Sequence, residues 1–335
     1  MKEPSSAQKK HTRRKAIRIA LAALLCYCAL SMLASAIVFR VIYPRKDGLS
    51  PLQYTYDELS PACERTAFTF SSGKNTLSGW RYDAGEPKGL IVVVNGIGAG
   101  ADAQLPMIME FVQAGWSVAT WDATGVGLSE GRGMIGLQQI ADDLTAFLTH
   151  FESSGAWNDL PVILYGHSAG AYAAAVNLDR FPCVSAVVCI SGFDRPVSLM
   201  YRHAKDRVSV LADLQYPFLL LENVFLFGTD ANDSAREAIS DSSKPVLIVG
   251  GDSDDLVPNS YSLVFDPEAY ANPNVRCQKI TSEYRNEHST PWLSPAAAQY
   301  RTEHADSDDV DKALANELDA GFVQMILEFL SDSAA

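Results

Sequence analysis

Cysteine is scarce in this chain, basic residues are scarce beyond its first eighteen positions, and no internal repeat or low-complexity tract is evident in its 335 residues. Cys26 and Cys28 fall inside an apolar stretch, leaving Cys63, Cys183, Cys189 and Cys277 for the rest, too few in so long a chain for a disulfide framework. Cys189 lies in an apolar run and reads as a buried thiol, whereas spacing leaves the pairing of Cys63, Cys183 and Cys277 open. Residues 1–18 hold seven Lys or Arg and one Glu, a charge of +6, so the overall −13 places −19 on the remainder. A body this acidic argues against nucleic acid as a partner. No metal site stands out, and no cofactor is implied.

What the chain does have is length and apolar content. Its 47% hydrophobic residues suffice for one large α/β domain with an appendage. Between Arg18 and Arg40 lie 21 uncharged residues, "IALAALLCYCALSMLASAIVF", which as a helix cover about 30 Å, the thickness of a bilayer core. Lys9, Lys10, Arg13, Arg14, Lys15 and Arg18 outweigh Arg40, Arg45 and Lys46, so the expected topology keeps residues 1–18 cytoplasmic, makes 19–43 a signal anchor and exports everything after it. A cleaved signal peptide ending near Ala36 is the rival expectation, but the apolar run exceeds a usual signal core and resumes after that site. Residues 44–62, with three prolines, read as a linker, and 63–335 as the main folded domain.

Strand signals then follow in series. Thr66–Phe70 and Leu77–Tyr82 flank "SSGKN", a hairpin pattern, and β-branched runs recur at Leu90–Val94, Ser117–Trp121, Val162–Tyr165, Ser185–Ile190, Val246–Val249 and Val275–Ile280. Helical spacing links Ile140, Leu144, Phe147, Leu148 and Phe151, and again Leu314, Leu318, Phe322, Met325, Ile326 and Phe329. The expected fold is therefore α/β, a mixed but mainly parallel sheet with helices on both faces. Ligands of such sheets bind beyond the carboxyl ends of the strands.

At one of those ends stands "GHSAG", with Gly166 and Gly170 two residues either side of Ser168. A strand-to-helix turn there strains its central residue and brings backbone close on both flanks, the nucleophile elbow G-x-S-x-G. A glycine-rich turn that merely contains serine is the plain alternative, and context has to decide. After Leu90–Val94 comes "NGIGAG", a turn suited to presenting backbone N–H groups to an anion and also a loose match to the dinucleotide fingerprint, with Asp122 about 20 residues on.

Taken together, these motifs make the chain similar to the α/β-hydrolase superfamily over roughly residues 65–330. "NGIG" resembles the oxyanion loop, "DATGVGLSEG" (122–131) the turn after the fourth strand, "GHSAG" the elbow, and "PVLIVGGDSDDLVP" (245–258) the strand and turn that deliver the acid. The monoacylglycerol lipase or serine aminopeptidase-like branch is the nearest resemblance. It implies a triad in the chain order Ser, Asp, His: Ser168 as nucleophile, Asp254 three residues before Val257 as the acid, and His288 in "SEYRNEHSTPW" as the base. Asp252 and Asp255 are then turn residues and Asp194 a reserve acid. The backbone N–H groups of Ile97 and Ala169 are the implied oxyanion donors. His167 has a structural role, His203 falls in an insertion where it would line a pocket, and His304 is expected at the surface. Asn95 and Thr124 depart from the family's usual histidine and arginine.

A cap insertion is expected over about 195–243, where a minimal sheet needs one helix. It contains "LADLQYPFLLLENVFLF", which reads either as a hydrophobic lid lining an acyl pocket or, for most of its side chains, as cap helices packed on the sheet. "DANDSAREAIS" should start a helix capped by Asp or Asn. The implied activity is a serine hydrolase taking a small ester or acyl substrate through an acyl-enzyme. A peptidase or thioesterase on the same triad, a binding module of the same fold and a dinucleotide-binding protein are the alternatives. Oligomeric state is unreadable.

Overall fold

Five- to seven-residue apolar runs separated by small-residue helices can be buried on both faces only as a covered, mainly parallel sheet, and the chain builds one. The computed structural model describes residues 6–47, 49–59, 64–155, 160–307 and 309–334. Its strands are β1 (Arg65–Ser72), β2 (Asn75–Tyr82), β3 (Leu90–Val94), β4 (Ser117–Trp121), β5 (Val162–His167), β6 (Val184–Ile190), β7 (Val246–Gly251) and β8 (Val275–Ile280). They form one eight-stranded sheet in the order β1-β2-β4-β3-β5-β6-β7-β8. The β1–β2 and β2–β4 pairs are antiparallel and the rest parallel. The expected hairpin and every expected inner strand are present.

The helices are α1 (Ser6–Val41), α2 (Tyr56–Leu59), α3 (Leu105–Gln113), α4 (Gln138–Ser154), α5 (Ala169–Asn177), α6 (Pro196–Val208), α7 (Val210–Phe227), α8 (Ala235–Asp241), α9 (Pro295–Glu303), α10 (Lys312–Ala315) and α11 (Ala320–Ala334). On one sheet face Val92, Leu164, Val187 and Ile248 pack with α4 and α5, through Ile140, Leu144 and the alanines of α5. On the other, Ile91, Val93, Ile163 and Val249 meet Ile108 and Phe111 of α3 and Phe322, Ile326 and Phe329 of α11. Alternation of the β-branched side chains across each strand feeds both cores at once.

Three local expectations are corrected. The C-terminal apolar pattern is not one helix: Leu314 lies on α10, Leu318 bridges to Leu293, and Asp319 Oδ1 accepts the Phe322 N–H at 2.7 Å to start α11 anew. An aspartate that bonds the backbone three residues on ends one helix and opens the next. The cap of α8 is neither Asp nor Asn but Ser234, whose Oγ accepts the Glu237 N–H at 3.1 Å. On α7 the apolar side chains divide: Val210, Leu211, Leu214, Leu221, Val224 and Phe225 are exposed, whereas Leu219 is buried and Tyr216, Leu220, Leu226 and Phe227 pack against the main core. That helix is apolar nearly all round, and the domain covers just one side of it.

Residues expected to form a linker are instead strapped to the domain. Pro44 bridges to Gly133 and Lys46 to Val126, and the Arg45 guanidinium donates to the carbonyls of Gly127, Ser129 and Gly131. Further along, Asn316 Nδ2 donates to Leu52 O at 2.7 Å and Lys312 pairs with Glu58 at 2.7 Å. Helix α1 is long and apolar enough over Lys10–Val41 to cross a membrane. Cys183, Cys189 and Cys277 are free thiols, while Cys63 lies outside the described residues.

Candidate active site

Ser168 takes φ 57° and ψ −120° between β5 and α5, a conformation rare for a residue with a β-carbon. The flanks show what holds it there. A Cβ on Gly166 would lie 2.2 Å from Gly170 O, and one on Gly170 would lie 2.0 Å from Val94 O. Only glycine allows the first turn of α5 to seat so deeply between β3 and β5. The strained turn lifts the Ser168 hydroxyl to the carboxyl end of the sheet, with the residue 8% exposed.

The loops after β7 and β8 meet this hydroxyl. His288 Nε2 lies 2.9 Å from Ser168 Oγ, and His288 Nδ1 lies 2.7 Å from Asp254 Oδ2. With its other oxygen Asp254 accepts the N–H groups of Leu256, at 3.0 Å, and Val257, at 2.7 Å, so the turn fixes the carboxylate plane. The carboxylate is buried. An imidazole bonded at Nδ1 by a buried carboxylate presents a lone pair at Nε2, where it can take the serine proton.

Of the neighbouring acids, Asp252 accepts from Asn286 Nδ2 at 2.8 Å and so anchors the histidine loop to the end of β7, while Asp255 is exposed. Asp194 is engaged elsewhere: its Oδ1 accepts from Ser234 Oγ and, at 3.0 Å, from Arg236 N at the start of α8. Half-buried His167 donates from Nε2 to His288 O at 3.1 Å and meets Trp292 edge to face. Burial, and then the nearby His288, press its pKa down to about 3, so it is a neutral strut. His203 Nε2 donates to Leu256 O at 2.9 Å, tying α6 to the loop that carries Asp254. His304 is half-buried against the Tyr300 ring, not free at the surface, because i,i+4 spacing stacks the two rings.

Beside the serine, the turn after β3 comes close enough that a Cβ on Gly96 would lie 3.1 Å from Ser168 Cβ. That approach sets the Ile97 backbone next to the elbow. Ala169 is the first residue of α5, where a helix leaves its N–H without an intrahelical acceptor. Asn95, standing where the family usually has histidine, donates to Gly100 O at 3.0 Å and closes the turn on itself.

Two buried acids hold these loops, Asp122, which opens the matched turn motif, and Asp143, which no motif marked. Asp122 accepts Ala101 N at 2.8 Å with one oxygen and Leu128 N at 2.9 Å with the other, coupling the turn after β3 to the turn after β4. Asp143 accepts from Ser72 Oγ at 2.6 Å, Thr124 N at 2.8 Å, Thr124 Oγ1 at 2.9 Å and Gln139 Nε2 at 3.1 Å. Burial raises both carboxyls above the usual range despite these donors. An acid on the inward stripe of α4, beside Ile140 and Leu144, was the one visible signal for Asp143. It also explains Thr124, which supplies two of the four donors.

An eight-stranded sheet of this order, an elbow after its central strand and a cap between the sixth and seventh strands define the α/β-hydrolase fold. Residues 85–224 match the family described as serine aminopeptidase, S33. Solved structures similar to the chain include the Pyrococcus furiosus esterase Pf2001, 18% identical with TM-score 0.59, over 88% of this chain and 99% of that one. Est1E from Butyrivibrio proteoclasticus, solved with ferulic acid bound, is 14% identical with TM-score 0.52, over 80% and 99%. An acylaminoacyl peptidase of Pyrococcus horikoshii is 15% identical with TM-score 0.54, over 83% of this chain and 43% of its own. No curated protein matches the sequence.

Proposed function

We propose that this α/β-fold hydrolase is a serine carboxylesterase working through Ser168, His288 and Asp254. The hydrogen-bonded relay from Ser168 Oγ through the His288 ring to Asp254 carries that reading. His288 Nε2 takes the proton as Ser168 Oγ attacks the ester carbonyl. The N–H groups of Ile97 and Ala169 face the developing oxyanion, a contribution of about 3 kcal/mol each in related chemistry. Collapse expels the alcohol with that proton, and a water deprotonated by His288 releases the acid and frees Ser168. Asp254 keeps the imidazole in the required tautomer throughout.

Residues 1–18 form a cytoplasmic tail, 19–43 an anchor, 44–62 the strap and 63–335 an exported catalytic domain with its cap at about 195–243. The apolar, 21-residue run and the basic excess before it support this topology. Peptidase activity is the second reading, supported by the serine aminopeptidase match and by the likeness to an acylaminoacyl peptidase.

A fluorophosphonate probe tests the site: the wild-type chain labels, Ser168→Ala does not, and hydrolysis of p-nitrophenyl esters vanishes with the label. Equal labelling of both chains would remove Ser168 as nucleophile. Faster turnover of aminoacyl anilides than of esters would favour the peptidase.

A further inference from the structure

Two helices of this chain share an interface whose chemistry belongs to a membrane interior. Along α1 the side chains of Ser31, Ser35 and Phe39 are buried, one per turn, while Leu24, Leu25, Leu30, Leu33, Ile37 and Val41 on its other faces are exposed. The buried stripe faces α7. Tyr27 OH donates to Leu214 O at 2.8 Å, in the turn before Pro217, and its ring meets Phe218 edge to face. Gln215 Nε2 donates to Ser31 O and Ser35 Oγ, both at 2.7 Å, and Arg40 pairs with buried Glu222 at 2.9 Å. Small residues that allow close approach, with polar side chains bonded across, are how helices associate where no water competes.

The outward face of α7 is the second observation. Val210, Leu211, Leu214, Leu221, Val224 and Phe225 are all exposed and fall on one helical stripe. It runs the whole helix, about 27 Å. The carboxylates of α7 lie off that stripe and are engaged: Glu222 by Arg40, and Asp213 by Lys205 and Tyr201 at the α6–α7 turn. A soluble domain does not leave so long an apolar stripe to water.

We infer that α7 is immersed in the lipid bilayer beside α1, so that the cap meets esters dissolved among the acyl chains. The inference rests on reading α1 as the anchor. Given that, depth follows from register: residues 27, 31, 35 and 40 of α1 meet residues 214, 215 and 222 of α7 in the same order, so the two helices lie at common depths. The bilayer, continuous with the exposed faces of α1, covers the stripe. Through α6 and the His203 to Leu256 hydrogen bond, the same cap touches the loop that holds Asp254.

The test uses the full chain in phosphatidylcholine vesicles containing doxyl-labelled acyl chains, with an NBD fluorophore on single introduced cysteines in a background in which all six native cysteines are replaced by Ala or Ser. Leu24→Cys probes α1, Leu221→Cys probes α7, and Glu86→Cys on the β2–β3 turn is the aqueous control. Quenching of the probes at 24 and 221, with none at 86, is the expected result. Quenching at 24 alone leaves the anchor and overturns the immersion of α7; quenching at neither overturns the anchor as well. A blue-shifted but unquenched probe at 221, with concentration-dependent cross-linking between chains, would give the stripe to a second copy and overturn the inference. Independently, the triple variant Leu214→Lys, Leu221→Lys, Phe225→Lys should lose about tenfold or more in hydrolysis of a vesicle-borne long-chain ester. Its turnover of a water-soluble short-chain ester should stay within about twofold, since exposed α7 residues lie off the Ser168 relay. Equal losses on both esters would overturn the inference.

Discussion

The two ends of this domain's business side, the elbow and the cap, are built on opposite rules. At the elbow backbone approaches backbone as closely as glycine permits, and Ser168, His288 and Asp254 are tied to one another and to surrounding N–H groups. On the cap, α7 shows a stripe of large apolar side chains to the outside and joins the rest through polar contacts with α1 and the packing of Leu219, Leu220, Leu226 and Phe227 on the core. A strained, fully bonded turn tolerates no added atom, whereas an outward apolar face tolerates most changes except charge. In the proposed reading, chemistry sits on the first kind of surface and substrate delivery on the second.

The strongest way to break this contrast is at the nucleophile. Ser168→Ala should lower kcat by about 10⁴-fold or more while the melting temperature stays near wild type, as read by ester kinetics and a thermal melt. Asp254→Asn comes next. Its amide oxygen can still accept from Leu256 and Val257, but the imidazole is no longer held in the needed tautomer, so kcat should fall about 10²- to 10⁴-fold with KM little changed.

Stability effects sharpen the comparison between a crowded and an open glycine. Gly170→Ala drives a methyl to 2.0 Å from Val94 O and should cost about 3 kcal/mol or more, or prevent folding. Gly228→Ala, just past α7, meets no atom within 4 Å and bears only the strain of its φ of +83° and ψ of −165°, about 1–3 kcal/mol. Denaturant titrations of the two variants measure the difference; equal costs would mean that the elbow is not closely packed in solution.

The smallest effect is electrostatic. Burial raises the Asp142 carboxyl from 3.8 to about 6, in a cleft it shares with Arg180, Phe227 and Asp230 beside the end of α7. The folded chain therefore holds a proton, between those two pH values, that the unfolded chain has released, so stability falls as pH rises through that window and stays lower above it. Asp142→Asn should abolish that slope and add on the order of 1–2 kcal/mol at pH 8. Thermal melts from pH 4 to 8 read the slope directly.

Much of this was legible before any coordinates. The strands announce themselves because residues buried on both faces must be apolar throughout, and Leu90–Val94 and Ser117–Trp121 match β3 and β4 residue for residue. Ser168 was visible because the elbow demands glycine at fixed offsets. Placing Asp254 and His288 needed the resemblance, since their pairing spans 34 residues of chain and no local rule links them. The split of α10 from α11 hid behind an unbroken apolar period, because periodicity records which residues are buried and not where backbone bonds stop.

By itself, then, the sequence determined the alternation of strands and helices, the position of the strained serine and the apolar character of α1 and α7, for each depends on neighbours within a few residues. Only the tertiary structure decided which aspartate faces His288, that Asp122 and Asp143 brace the loops, that the segment after Pro44 is strapped down, and that α1 lies against α7. Most of these contacts join residues between 19 and 264 positions apart, and their partners are chosen by the packing of the whole domain, which no short stretch of chain encodes.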